Sequence, residues 1–260
     1  MNFVDLHTHL AWGIDDGYPT KEDTIKALVK MANQNVKYVV STPHFIPGQT
    51  KEVVENMNRR IQELQQLAKQ YNITIIKGCE LFLNHDYLEM LDQKLVNTIG
   101  DTNYLLAEFN VTRKLGSKED VEERLYELTV RGYQVVVAHV ERYFHEKMDI
   151  ERVRNWVNEG YVIQMNTSSL LGIHGSQVQK NAIALLDEGL VHVIGTDTHR
   201  PDGKRDPNLD QAYQWLCDHY SKKTADLLCC VNGVHILNGE PVETLEPVQK
   251  SFFKKLFKRR

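Results

Sequence analysis

The sequence predicts an α/β fold whose parallel sheet closes into an incomplete or distorted barrel. Three observations carry this expectation. Seven short apolar runs alternate with stretches of helical periodicity, which is the pattern of βαβ units. The runs are rich in Val and Ile and poor in charge, as strands covered on both faces should be. No linker or composition shift divides the 260 residues, a length that one α/β barrel routinely has. An open doubly wound sheet is the alternative.

The first strand runs through Val4-Asp5-Leu6-His7-Thr8-His9, so it ends in two histidines. Side chains at i and i+2 of an extended chain point to the same side. A loop with Asp15, Asp16 and Gly17 follows. Thr20 and Asp23 form a capping pair for a helix with Ile25, Leu28, Val29 and Ala32 at helical spacing. The second strand, 38–41, leads into Thr42-Pro43-His44. The next helix is expected to align Val53, Val54, Met57, Ile61, Leu64 and Ala68 on one face. The third strand, 73–76, runs out at Glu80, before a short helical stretch over 87–95. The fourth, 104–107, ends at Glu108 and precedes a helix marked by Val121, Leu125 and Leu128. The fifth, 134–138, ends at His139. Val153, Trp156 and Val157 mark a helix that Gly160 ends. The sixth strand, 161–165, closes at Asn166, and Ala182, Leu185 and Leu186 mark another helix. The seventh, 191–195, ends in Thr196-Asp197-Thr198-His199. Residues 206–230 read as mostly helical.

The totals narrow the function. A net charge of −4 does not suit binding to nucleic-acid backbones. No apolar run approaches the roughly 18 residues of a membrane span, and no basic stretch followed by an apolar one reads as a secretory signal. The cysteines Cys79, Cys217, Cys229 and Cys230 form no C-x-x-C pair, so free thiols in a reducing compartment are expected. A cysteine-based phosphatase needs arginine six residues after its thiolate, and none of the four has one.

In parallel α/β barrels the chemistry sits at the C-terminal ends of the strands. There the sequence places His7 and His9, His44, Glu80, Glu108, His139, Asn166, Asp197 and His199. Asp15 or Asp16 can add a further carboxylate. Any one of these alone is an ordinary polar residue at a barrel rim. Their recurrence at strand end after strand end predicts a metal cluster. Five histidines and three or more carboxylates exceed one four-coordinate ion, so two or three divalent ions are expected. Imidazole and carboxylate ligands without thiolate suit Mn, Fe or Zn. Such a site fits phosphate-ester hydrolysis, because the metals generate hydroxide near neutral pH and clamp charge on phosphoryl oxygens. Arg142, Arg200, Lys204 and Arg205 follow the strand ends closely. Arginine presents a planar fork to phosphate, and Arg142 and Arg205 are the favoured phosphate holders.

These residues resemble the polymerase and histidinol phosphatase (PHP) family of metal-dependent phosphoesterases. The resemblance rests on His7-Thr8-His9 with Asp15-Asp16-Gly17, Thr42-Pro43-His44, His139-Val140-Glu141-Arg142 and Gly195-Thr196-Asp197-Thr198-His199. Within it the chain is most similar to bacterial CpsB/CapC/YwqE-type protein tyrosine phosphatases. That likeness implies a single-domain, distorted (β/α)7 TIM-like barrel over 1–249. It implies the metal ligands His7, His9, Asp16, His44, Glu80, Glu108, His139, Asp197 and His199, with manganese first among the ions. Arg142, Arg205 and His199 are the implied catalytic residues, although Lys204 stands where an ungapped match puts arginine. The implied reaction is in-line hydrolysis without a phosphoenzyme. The implied substrate is phosphotyrosine on a membrane-associated bacterial tyrosine kinase that controls capsule or exopolysaccharide export, met in the cytoplasm. Histidinol phosphate is the rival substrate, and a non-catalytic binding module is the rival class.

The tail over 250–260 carries six cations and three Phe without an acid. It is expected either to touch an anionic membrane peripherally or to remain solvated or packed on the barrel. Trp12, Tyr18, Phe45, Tyr143 and Phe144 lie near strand ends, where they either close the barrel mouth or stack on a substrate ring.

Overall fold

The computed structural model describes residues 2–84 and 86–248. The basic tail lies outside the described residues. The first strand, β1 (Phe3–Thr8), is entirely buried and leads to α1 (Lys21–Asn33). Thr20 caps this helix: its side chain accepts from the Asp23 amide and donates to Asp23 Oδ2 at 2.8 Å. The cap satisfies a donor that a helix N-terminus otherwise leaves unpaired.

The second and third staves of the barrel are each interrupted. β2 (Val36–Ser41) and β3 (His44–Phe45) flank Thr42-Pro43, while β4 (Thr74–Lys77) and β5 (Glu80–Phe82) flank Gly78-Cys79. Pro43 has no amide proton to give a ladder. Gly78 sits where a Cβ would come within 2.8 Å of Val40. Hydrogen bonds nevertheless bridge both breaks, from the Gly78 amide to Ser41 O and from the Glu80 amide to Pro43 O, each at 3.0 Å. The sheet continues through β6 (Tyr104–Glu108), β7 (Gln134–Val137), β8 (Val162–Asn166) and β9 (Val193–Gly195), with every strand pairing parallel. Past β9 the chain returns to β1. The Asp197 amide donates to His7 O at 2.8 Å, and the His9 amide donates to Thr198 O at 3.0 Å. The result is a distorted seven-stave (β/α) barrel, agreeing with the seven runs read from the sequence.

Helices α2 (Lys51–Ala68), α3 (Tyr87–Asp92), α4 (Lys118–Val130), α5 (Ile150–Asn158) and α7 (Ser176–Asp187) cross between staves, and α6 (Thr167–Leu170) is a single turn after β8. One expectation is corrected here. Val53 does not join the buried stripe of α2, which runs through Val54, Met57, Ile61, Leu64, Leu67 and Ala68; Val53 is exposed. Adjacent positions lie about 100° apart around a helix, so Val53 and Val54 cannot share the centre of one face.

The outer layer of core packs helices against the sheet. A second apolar cluster uses alternate strand residues, among them Val4, Leu6, Tyr104, Leu106, Val136, Ala138 and Val162, and fills the barrel. The chain then forms α8 (Leu209–His219), α9 (Lys222–Asp226), a π-helical turn (Leu227–Val231) and α10 (Asn232–Asn238). Ile236 joins the inner cluster, Gly233 lies against Val4, and Tyr104 donates to Glu240 O at 2.7 Å. This stopper covers the N-terminal end of the barrel. Chemistry is left to the other end.

Candidate metal centre

At the C-terminal ends of the staves, the nine side chains singled out as ligands meet in one place. They form four overlapping groups: His9, Asp16, His44 and His199; His7, His139 and Asp197; His7, His9 and Glu80; and His44, Glu80 and Glu108. Within each group the nitrogen and oxygen ligand atoms lie within 4.8 Å of one another. Glu80 is central. Its Oε2 lies 3.1 Å from His7 Nε2, 3.2 Å from His9 Nε2 and 3.1 Å from His44 Nδ1, and its Oε1 lies 2.9 Å from His139 Nε2. Glu108 approaches His44 Nδ1 at 3.0 Å, and Asp16 Oδ1 lies 3.3 Å from both His44 and His199.

Local backbone explains the convergence. The β1 register shifts between Asp5 and Thr8, directly at His7, and such irregularities commonly re-aim side chains beside active sites. Gly195 stands where a Cβ would come within 2.8 Å of His7 Cβ. His139 and Asp197 both adopt left-handed backbone, with φ of +33° and +52°, which turns the chain sharply at the ends of β7 and β9.

The fit to metal ions rests on atoms without partners. Glu80 Oε2 and His199 Nε2 are buried with no hydrogen bond, although three imidazole nitrogens surround the first. Buried orphan acceptors and donors are uncommon, and cations held among these nitrogens and oxygens would account for them. Charge agrees. Burial alone would lower the His7 pKa, yet Glu80 and Asp197 push it to about 9. Burial opposes ionisation of Glu80, but His7 and His44 hold its pKa well below the usual range. Protons on histidine thus balance carboxylates that divalent ions would otherwise neutralise. Burial, helped by the neighbouring His9, lowers His199 to about 4.

The structure separates candidates that spacing left open. Asp16 faces the cluster. Asp15 instead accepts from His9 Nδ1 at 2.8 Å and from the His44 and Gly17 amides, so it orients two histidines. Arg205 reaches Asp197 Oδ1 at 2.7 Å and Arg142 reaches Asp197 Oδ2 at 3.3 Å. Lys204 offers its backbone carbonyl to the Ser168 hydroxyl. Arg200 is engaged by the carbonyls of Asp16 and Gly17. Trp12, Tyr18, Phe45 and Tyr143 are buried at the mouth, while Phe144 packs against the core partly exposed.

Sequence reading missed one residue that ties the centre together. Gln164 Oε1 lies 3.2 Å from His7 Nδ1 and accepts from the His139 amide at 2.8 Å. Its Nε2 donates to Asn166 Oδ1 at 2.9 Å, and Asn166 donates to Asp197 Oδ2 at 2.8 Å. The signal was available: a glutamine interrupts an apolar strand buried on both faces.

A family model described as capsular polysaccharide synthesis, CpsB/CapC, matches residues 3–238. The chain belongs to the CpsB/CapC family. Among its relatives, the tyrosine-protein phosphatase CpsB of Streptococcus agalactiae serotype III (strain NEM316) is 31% identical over 243 residues, covering 91% of this chain and 98% of that protein. The tyrosine-protein phosphatase YwqE of Bacillus subtilis (strain 168) is 25% identical over 206 residues, covering 75% of this chain and 77% of that protein. A solved structure described as YwqE from B. subtilis and CpsB from Streptococcus pneumoniae, unique metal-dependent tyrosine phosphatases, superposes with a TM-score of 0.76. It covers 94% of this chain and 98% of that chain at 22% identity, which establishes the shared barrel.

Proposed function

We propose that this CpsB/CapC member is a metal-dependent protein tyrosine phosphatase acting on a phosphorylated bacterial tyrosine kinase of capsule or exopolysaccharide synthesis. The observation that carries the reading is the meeting of nine imidazole and carboxylate side chains with two arginines at one barrel mouth. His7, His9, Asp16, His44, Glu80, Glu108, His139, Asp197 and His199 would hold two or three divalent ions, with manganese the first candidate. When bound, such ions lower the pKa of water and neutralise charge on the phosphoryl group.

The protein's own groups do the rest. Arg142 and Arg205 are anchored on Asp197, which fixes their forks before substrate arrives. Arg205 Nε is buried without a hydrogen-bond partner and supplies a donor for a phosphoryl oxygen. A planar guanidinium pair suits the equatorial oxygens of an in-line displacement. His199 lies between Asp16 and Asp197, with its Nδ1 2.9 Å from Asp197 O, so its Nε2 is directed to the centre. No thiol is needed: Cys79 is buried, its pKa pushed up to about 12 by burial.

Residues 1–249 constitute the phosphatase domain in this reading. Among the described residues, no helix is long and apolar enough to cross a membrane. In this reading the enzyme meets its kinase in the cytoplasm. The six cations and three phenylalanines of 250–260 are the segment that would touch an anionic membrane, a solvated or barrel-packed tail being the alternative.

The deciding assay uses protein stripped of metal and reloaded with Mn²⁺, given a phosphotyrosine peptide and histidinol phosphate side by side. Metal-dependent phosphate release from the peptide, with little from histidinol phosphate, is the expected result. The opposite preference would replace the substrate, and turnover of neither by metal-loaded protein would remove the enzyme reading.

A further inference from the structure

We propose that Ile14, Ile46 and Phe82 form the seat for the aromatic ring of the substrate, and so select aryl over alkyl phosphates. The inference rests on the phosphatase reading and adds the residues that choose the leaving group. A cleft of about 390 Å³ opens beside the cluster, with Asp16, His44 and Glu108 on its inner side. Sites for small organic groups are typically about 300–1,000 Å³. Ile14, Ile46 and Phe82 line it from three separate segments: the loop after β1, the residue after β3, and the end of β5.

The placement is chemically pointed. In a phosphotyrosine the ring is joined to the phosphoryl group through one oxygen, so it must lie beside the metal-facing residues. Of the five aromatics the sequence places near strand ends, Tyr18, Phe45 and Tyr143 are at most 1% exposed and cannot offer a face, and neither Trp12 nor Phe144 lines this cleft. Ile46 is 47% exposed on a rim otherwise dense in charge. Its position is fixed rather than loose. The Ile46 amide donates to Gln49 Oε1 at 3.0 Å, the Gln49 amide returns to Ile46 O at 3.1 Å, and Gln49 Nε2 reaches His44 O. A pre-organised apolar wall loses little on binding. Arg142 and Arg205 lie on Asp197 and do not line this cleft, with Arg205 Nη1 3.9 Å from Asp16 Oδ2 at its inner edge, so phosphoryl oxygens and ring are received by different, adjoining side chains.

Binding can be read without turnover. Mn²⁺-loaded protein would be titrated calorimetrically with phenylphosphonate and with methylphosphonate, in wild type, Ile46→Ser and Ile14→Ser. Wild type should prefer the phenyl compound by about tenfold or more, the scale of discrimination an apolar pocket provides. Each variant should bring that ratio toward one. Ile46 is exposed enough that its replacement leaves the fold standing. A wild type indifferent to the ring, or a preference that survives in both variants, would overturn the assignment. An intact ring preference in a protein that releases no phosphate from phosphotyrosine would instead count against the phosphatase reading and leave the ring seat in place.

Discussion

Replacing Gln164 tests whether the proposed ligands are held as a unit. Gln164 is fully buried. Its carboxamide accepts from the His139 amide, faces His7 Nδ1 and donates to Asn166, which in turn holds Asp197. An Nδ1–H donated to Gln164 leaves His7 Nε2 with its lone pair toward the centre, the state a metal ligand needs. Gln164→Leu removes these bonds at nearly constant volume. Leaving two or three buried polar groups unpaired costs about 1–3 kcal/mol each, so a loss of at least about 2 kcal/mol in stability is expected. Losing the outer partner of a ligand typically weakens metal binding by about 10–100-fold. Gln164→Glu keeps both acceptor contacts but sets a buried carboxylate oxygen against Asn166 Oδ1, so it should recover metal affinity only in part. The assay is Mn²⁺ competition against a chelator of known affinity, below the melting transition of each variant, with urea unfolding alongside. If Gln164→Leu bound Mn²⁺ as tightly as wild type while losing stability, Gln164 would be a core residue and no more.

Three further outcomes follow from the same geometry. Arg205→Ala and Arg142→Ala should each raise KM for a phosphotyrosine peptide by about 10–100-fold, the worth of one charged hydrogen bond, with bound metal retained. Arg205→Lys should not restore it, because a point charge cannot serve Asp197 and a phosphoryl oxygen together. Gly195→Ala puts a Cβ within 2.8 Å of His7 Cβ and 3.3 Å of His7 N, so a cost of about 1–3 kcal/mol is expected, together with lower metal content by elemental analysis. His192 is buried and its Nδ1 accepts from the Ile163 amide at 3.0 Å. Burial lowers its pKa from 6.5 to about 4. The unfolded chain therefore binds the extra proton between those values, and stability is lost as pH falls from 6.5 toward 4. The change between pH 7.5 and 5 is about 2 kcal/mol. Urea unfolding of His192→Gln should show a flatter pH dependence than wild type, and an identical slope would refute the assignment.

The seven staves were legible because most are buried on both faces and so read as largely apolar runs; β4, with Thr74 and Lys77 exposed, was found through its β-branched residues. What escaped was local. The second and third staves break at Thr42-Pro43 and Gly78-Cys79, and the hydrogen bonds that carry the ladder across have no signature in residue type. Val53 was misplaced because a helical stripe is only about two residues wide per turn. At the site, strand-end position singled out eight of the nine residues that converge, since a barrel delivers its strand ends to one mouth; the ninth, Asp16, lies in the loop after β1 and came with the family resemblance. Spacing could not divide Asp15 from Asp16 or Lys204 from Arg205. Adjacent loop residues differ in direction rather than in chemistry, and only the fold sets direction. Ile14, Ile46 and Phe82 carried no periodic signal because they come from three loops or strand tips. Gln164 was the avoidable omission, a polar side chain inside a run that offers no water.

The left-handed turns at His139 and Asp197 show how the mouth is kept in shape. Such backbone costs a non-glycine residue about 1–2 kcal/mol, and it persists where surrounding bonds over-determine it. Both positions are held in that way. The His139 amide is bound by Gln164, and its carbonyl accepts from the Arg142 amide at 2.9 Å. The Asp197 amide is bound by His7 O, and its carboxylate receives Asn166, Arg142 and Arg205. The same contacts that hold the strained backbone also aim the imidazole, the carboxylate and the two guanidinium groups. Releasing a backbone bond or the Gln164–Asn166 link relaxes the turn and misdirects the ligand together, so site geometry should fail before the barrel does, whereas loss of one arginine leaves the Asp197 carboxylate held by Asn166 and the other. The barrel itself draws on two apolar layers that these contacts do not touch.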